Sequence, residues 1–330
     1  MTWDIDVGQT LSPNLHSLTE VDWDFPERTA HSSIEGIHPY PAKFVAELPR
    51  ALLNILPIAP NTAVFDPFCG SGTTLVESQR LGVPSIDVDL NPIACLITRV
   101  KTSPHPVGLR QMSREVVSAA KSSVRTTVPD IPRLDHWFNS QAQDALSALS
   151  TQISVAPPSY HDTLRLALSS IIVRVSNQES DTRYAAIDKG STTESVCKAF
   201  LRATDYLEDA LLGRDYSLES ATVIDGDILE LEHSEINKKI GLVITSPPYP
   251  NAYEYWLYHK YRMYWLGYDP VRVREREIGA RAHFFKKNHH TANDFARQML
   301  QTLQLIKKVM VKKVCMLCYR SFSNSRPRCQ

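Results

Sequence analysis

Val64-Phe65-Asp66-Pro67-Phe68-Cys69-Gly70-Ser71-Gly72-Thr73-Thr74 is the stretch whose reading decides the fold. A short apolar run from Thr62 closes on an acid at Asp66, a Gly-x-Gly turn follows, and Thr73–Leu81 reads as a helix stopped by Gly82. A strand that ends on a carboxylate and turns through glycines into a helix brings backbone N–H groups and one negative charge to the same small ligand. The stretch is not a phosphate loop, because it lacks Gly-Lys-Ser/Thr, and the third glycine of a dinucleotide fingerprint would fall at Leu75. A carboxylate at Asp66 repels a pyrophosphate but attracts an ammonium group.

Working outward, Val83–Asp89 reads as a second strand, and Asn91-Pro92 opens a helix that turns Ile93, Leu96, Ile97 and Val100 inward. Strand and helix alternating at this spacing predict right-handed βαβ units in a parallel sheet. Upstream, Phe44, Leu48, Leu52 and Ile55 predict a first helix with Pro41 in its first turn and a kink at Pro49. Residues 104–218 break the alternation and predict helices over 108–126, 139–154, 160–176 and 193–212, too much chain for a loop. Strands return at Ala221–Asp225 and Ile240–Thr245, and a helix is expected around 292–310.

Asp66, Asp89 and Asp227 each follow or close a strand. Any one of them alone reads more readily as a helix cap or a surface turn. Together they describe a pocket for a nucleoside that carries a cationic amino acid, the shape of S-adenosylmethionine: Asp66 near the ammonium, Asp89 on the ribose hydroxyls and Asp227 on the adenine amino group. Thr245-Ser246-Pro247-Pro248-Tyr249 then follows an apolar strand. Consecutive prolines remove two N–H donors and leave carbonyls free to accept, so Ser246 Oγ and the Pro247 carbonyl form a rigid acceptor array for an exocyclic amino group. Such hydrogen bonds favour a more tetrahedral, nucleophilic nitrogen. Tyr249 would stack on a base rotated out of its duplex. The bland reading is an ordinary turn with a core tyrosine.

DPFCGSGTT with TSPPY resembles the amino-methyltransferases of DNA, and SPPY is similar to their cytosine-N4 branch. Ile37–Phe44 (IHPYPAKF), Ser176–Ala186 (SNQESDTRYAA) and Ser246–Gly267 (SPPYPNAYEYWLYHKYRMYWLG) resemble a prokaryotic family of site-specific cytosine-N4 methyltransferases, extending the likeness over about residues 35–300. The resemblance implies a Rossmann-like S-adenosylmethionine-dependent fold with a mostly parallel sheet, double-stranded DNA as substrate, a cytoplasmic setting, and no metal. A cognate restriction endonuclease is a further partner it allows. It places Asp66, Phe68, Gly70, Gly72, Thr73, Thr74, Asp89, Asn91 and Asp227 around the cofactor. Tyr40, Lys43 and Phe44 close over its methionine end, and Ser246, Pro247, Pro248 and Tyr249 receive the cytosine. The chain then divides into an irregular arm (1–36), a cofactor-binding part (37–103), a helical insertion (104–218), a catalytic part (219–310) and a basic tail (311–330).

Arg183 and Tyr184 are the candidates for DNA contact in the insertion, although an Arg paired with Asp181 or Glu179 on a surface is an equal reading. After SPPY, Tyr253, Lys260 and Arg262 interleave cations with aromatics, as base stacking and phosphate contact require, while a helix packing its aromatic face on the sheet is the plainer account. Arg272, Arg274, Arg276 and Arg281 are expected to meet phosphates.

Composition agrees and then complicates. With 43% hydrophobic and 22% charged residues in 330, wholesale disorder, collagen-like structure and a disulfide mini-scaffold are excluded. Lys+Arg and Asp+Glu are both 36, yet residues 260–330 hold 16 of the former and 4 of the latter, so that segment is +12 and the rest −12. Six scattered cysteines and a start without a basic, apolar leader fit a reducing compartment, and Cys315-x-x-Cys318 has no partner ligands for zinc. From Lys307 onward the chain reads KKVMVKKVCMLCYRSFSNSRPRCQ, where the family pattern expects a Pro-Gly-Gly turn and further strands. Val314–Tyr319 offers one strand, the last hairpin has no candidate, and a truncated sheet with an exposed edge is expected. Two other classes stay open on sequence: an RNA guanine-N2 methyltransferase, and a non-catalytic subunit that binds DNA or a partner.

Overall fold

The computed structural model describes residues 17–25, 33–123, 127–214, 216, 218–248, 254–280, 291–309 and 316–318. Its centre is a five-stranded, wholly parallel sheet, β1 (Ala63–Asp66), β2 (Ser85–Asp89), β3 (Ala221–Asp225), β4 (Ile240–Thr245) and β5 (Met316–Cys318), in the order β3-β2-β1-β4-β5. The order reverses at β1, which has β2 on one side and β4 on the other. The crevice beyond the carboxyl ends of such strands is where open α/β sheets bind ligands.

The helices are α1 (Glu47–Ile55), α2 (Thr73–Arg80), α3 (Pro92–Thr102), α4 (Leu109–Lys121), α5 (Leu134–Trp137), α6 (Ser140–Val155), α7 (His161–Val175), α8 (Thr193–Leu212), α9 (Tyr255–Trp265), α10 (Pro270–Arg276) and α11 (Thr291–Val309). α4, α6, α7 and α8 match the four helices expected between 108 and 212 to within a few residues. β5 lies inside Val314–Tyr319. The first helix departs from expectation. Ala42 adopts a positive φ of 47°, so Pro41 stands outside the helix, which begins only at Glu47. Pro49 is then in the first turn, where its missing N–H has no intrahelical partner to lose, and no kink is required.

Both sheet faces are covered. Phe65, Ile86, Val88 and Val243 pack on one side with Ile228, Leu231, Ile236, Ile278 and Ile306, the last from α11. On the other, Val64, Leu242 and Ile244 meet Leu52 and Leu53 of α1 and Leu56 just past its end. β4 is buried along its whole length, as its unbroken apolar run IGLVIT demands of a central parallel strand. From α3 the second layer continues without a break: Ile93, Leu96 and Ile97 share a core with Leu146, Leu149, Leu164, Leu168, Phe200 and Leu207 of α6–α8, and with Tyr261, Met263 and Trp265 of α9. No helix among the described residues is long and apolar enough to cross a membrane.

Candidate cofactor and catalytic cleft

At the switch point the strand ends and their loops line a cleft that is partly open to solvent. Its walls include Tyr40 and Phe44 from the N-terminal motif, Asp66 at the end of β1 with Phe68 and Gly70 from the loop that follows, Asp89 at the end of β2 with Asn91 after it, Asp227 after β3, and Ser246 and Pro248 after β4. The structure thus brings together ten residues expected from sequence. Tyr249 and Tyr253 lie outside the described residues, as does Arg281.

Local chemistry explains why the loop takes this shape. The Asp89 carboxylate accepts from Gly70 N–H at 2.8 Å with one oxygen and from Asn91 N–H at 2.8 Å with the other, tying the first loop to the second. Asn91 in turn caps α3 by accepting from Ile93 N–H at 3.0 Å. Asp66 accepts from Phe68 N–H at 3.1 Å and from the Thr74 hydroxyl at 2.7 Å. Burial pushes the Asp66 carboxyl up to about 6 and the Asp89 carboxyl to about 7, outweighing the hydrogen bonds that hold each charge. Both therefore favour a cation that would restore their charged forms.

Gly70 and Gly72 have positive φ, 53° and 77°. A Cβ on Gly70 would stand 3.3 Å from the ring of Tyr40, so the absent side chain is what lets Tyr40 lie on the loop. Gly72, Thr73 and Thr74 do not line the cleft. They form its foundation, and a Cβ on Gly72 would meet Thr98 Oγ1 at 2.5 Å. Gly72→Ala is expected to destabilise the protein by about 2–3 kcal/mol, adding left-handed strain to overpacking, as a lowered urea midpoint will show.

Lys43 also differs from its expected place. Its ammonium donates to the Glu35 carbonyl at 2.7 Å and the His38 carbonyl at 3.2 Å, clamping the N-terminal motif rather than entering the cleft. Beneath the loop, buried Lys101 donates to the Ser71 carbonyl at 2.8 Å, and burial pulls its ammonium down to about 7. Nothing in the local sequence marks that role.

Two expected DNA contacts are corrected by their partners. Arg262 is fully buried, donating to the Ser169 carbonyl at 3.2 Å and the Tyr258 carbonyl at 3.0 Å and forming an ion pair with Asp181. It joins α9 to the insertion and is closed to phosphate. Arg276 turns into the cleft, where it holds Asp227 at 2.9 Å and pairs with Glu230. Tyr184 is half-buried, its hydroxyl donating to the Leu257 carbonyl. Arg183 stays exposed in a 3.1 Å pair with Glu179. Exposed Arg272, and Arg274 stacked 5.6 Å over Trp256, remain on the surface beside the cleft, as does half-exposed Lys260 over the Tyr261 ring.

The sequence reading missed Glu277, and Tyr255 entered it only as one ring of the aromatic, cation-bearing stretch after SPPY. Tyr255 stacks on Tyr40 with centroids 5.8 Å apart, and both Tyr255 and Glu277 line the cleft. Four carboxyl groups, Asp66, Asp89, Asp227 and Glu277, thus face one guanidinium already committed to two acids. Such a cleft suits a cation and disfavours phosphates. Among the described residues no group of His, Cys, Asp or Glu is placed to hold a metal.

Residues 6–99 match the family model of the N6/N4 DNA methylases, described as DNA methylase. The N-terminal third of the chain is thus similar to the N6/N4 DNA methylases. It is 38% identical over 99 residues to the type II methyltransferase M.MjaII of Methanocaldococcus jannaschii, covering 27% of this chain and 17% of that protein. Over longer spans it is 23% identical to type II methyltransferase M.BsoBI of Geobacillus stearothermophilus (74% of this chain, 55% of that one) and 25% identical to M.MvaI of Kocuria varians (65% and 53%). The chain spans about half the length of these two relatives. No solved structure matches it significantly. The methylase match contains the N-terminal motif, the glycine loop and Asp89, so the family likeness and the cleft coincide on the same residues.

Proposed function

We propose that the chain methylates the exocyclic N4 amino group of cytosine within a specific duplex DNA sequence, using S-adenosylmethionine, and so protects that site from a cognate endonuclease. The observation that carries this reading is the shared cleft: Ser246 and Pro248, at the end of β4, face the same space as the Asp66 and Asp89 carboxyls. The carboxyls and the Gly70 turn fit an ammonium, a ribose and a positively charged sulfur better than any phosphate. When bound, S-adenosylmethionine supplies a methyl carbon made electrophilic by a sulfonium.

The remaining work falls to the protein. Asp66 would hold the ammonium and Asp89 the ribose hydroxyls, with Asn91, Phe68 and Phe44 walling the ligand. Asp227 would accept from the adenine amino group while Arg276 balances its charge. Ser246 Oγ and the Pro247 carbonyl would accept from the cytosine amino group, drawing its lone pair out of the ring and aiming it along the cleft. Tyr249 would hold the rotated base by stacking. Arg272, Arg274 and Lys260 supply surface charge at the cleft's edge for the DNA backbone. The SPPY sequence favours cytosine over adenine.

The experiment is a nucleoside analysis. Purified chain with labelled S-adenosylmethionine is offered unmethylated duplex DNA, tRNA, or neither, and the digests are read by mass spectrometry. N4-methylcytosine in DNA alone is the expected product. N6-methyladenine would reassign the base while keeping the site, methylguanine in tRNA would favour the RNA enzyme, and DNA binding without transfer would favour a non-catalytic subunit.

A further inference from the structure

Glu277 sits just past α10, yet its two oxygens accept from the backbone N–H groups of Tyr255 at 2.9 Å and Trp256 at 2.8 Å, the first residues of α9. It is 8% exposed and lines the cleft together with Ser246, Pro248 and Tyr255. Only the segment 249–254 separates Pro248 from the helix start that Glu277 grips. Tyr255, held by its own N–H, stacks on Tyr40, and Tyr40 lies on Gly70. One side chain therefore stands at the junction of the catalytic loop, the N-terminal motif and the cofactor loop.

Resting on the methylation reading, we propose that Glu277 is a positioning residue, fixing the first turn of α9, and Tyr255 with it, in the cleft wall it shares with Ser246 and Pro248, so that the target base and the cofactor meet in a fixed geometry. A carboxylate suits this because it accepts two N–H groups at a helix start, where they have no intrahelical partners and the helix dipole favours negative charge. Glutamine has one oxygen and would turn its amide N–H₂ toward the second N–H. Aspartate is one methylene too short to keep both bonds. Asp89 and Glu254 face Glu277 and Tyr40 stands beside them; burial, with repulsion from the two acids, pushes its carboxyl up to about 8.

The test compares full-length wild type with Glu277→Gln and Glu277→Asp, using unmethylated duplex DNA as substrate. The readouts are methylated nucleoside by mass spectrometry, S-adenosylmethionine affinity by calorimetry, and amide exchange without cofactor. Glu277→Gln is expected to lower kcat about 10- to 30-fold while leaving the cofactor Kd within threefold, since Asp66, Asp89 and Gly70 keep their bonds. Exchange at Tyr255 and Trp256 should rise at least tenfold, with β1 and β4 unchanged. In wild type, protection at those two amides should strengthen as pH rises through about 8, after correction for intrinsic rates, and the glutamine variant should lack that dependence. A kcat within twofold of wild type, unchanged exchange, or a loss confined to cofactor Kd overturns the proposal. Should Glu277→Gln fail to fold, Glu277→Asp is held to the same criteria. Absence of transfer by wild type fails the methylation reading, and amide exchange then decides the positioning role by itself; wild-type transfer with an unimpaired Glu277→Gln fails the positioning role alone.

Discussion

Asp66→Asn is expected to weaken S-adenosylmethionine binding roughly 100-fold, on the order of 3 kcal/mol, as one buried charge-assisted contact is lost. The substitution is clean because the structure tolerates it. Asn keeps an oxygen for the Phe68 N–H, and its amide can donate to the Thr74 hydroxyl, which accepts as readily as it donates. The loop stays in place while the charge goes. Calorimetry across pH provides the second check. Holding the ammonium requires Asp66 ionised, and accepting from both ribose hydroxyls requires Asp89 ionised, so wild-type affinity should be full above about 7 and fall as protons return to Asp89 near 7 and to Asp66 near 6. The variant should retain the first step and lose the second. Stability of the unliganded protein runs the other way. Both folded pKa values lie above the unfolded ones, so this contribution is fully present below about 4 and is lost as pH rises through 6 and 7, until ligand reverses the sign. An Asp66→Asn protein that binds within threefold of wild type would remove Asp66 from the cofactor site.

Arg262→Ala should cost about 3–5 kcal/mol of stability, because it removes a fully buried cation with three partners and leaves Asp181 and two carbonyls unanswered. Asp181→Ala strands the guanidinium instead and should approach the same loss. Urea unfolding measures both. The salt dependence of DNA binding then separates structure from contact: folded Arg262→Ala protein should keep the wild-type slope, whereas removing a surface arginine that meets a phosphate lowers it by about one. Arg272 and Arg274 are the positions for that comparison. A reduced slope for Arg262→Ala at unchanged stability would restore it to the DNA interface.

The difference between Arg262 and Arg272 shows what a sequence can carry. Asp66, Gly70 and Asp89 were legible because strand, turn and helix succeed one another within thirty residues, and each residue's role follows from its place in that local pattern. The insertion helices were legible for the same reason, their apolar period being local. Arg262 was not, since the acid that claims it lies 81 residues earlier, and Arg276 was not, since Asp227 lies 49 residues earlier. A cation's function is set by its nearest carboxylate in space, and charge composition does not record distance. Glu277 carried one faint signal, an acid among Arg272, Arg274, Arg276 and Arg281. Pro49 misled through the same locality: a proline kinks or begins a helix according to where the helix starts, and the left-handed turn at Ala42 set that start.

The core that runs unbroken from α3 through the insertion to α9 bears on exchange of parts between relatives. Phe138 of the insertion packs edge-on against Tyr261 and Trp265, and His38 of the N-terminal motif bonds the Ser169 hydroxyl at 2.9 Å. A helical insertion packed this way into the layer beside the sheet is not a cassette. Transplanting residues 104–218 into another scaffold would uncover Phe138 and strand Asp181 without its guanidinium, so a stable chimera must carry the N-terminal motif and α9 with it. Variation in this insertion is then expected to arise by surface substitution on a retained scaffold rather than by swapping modules.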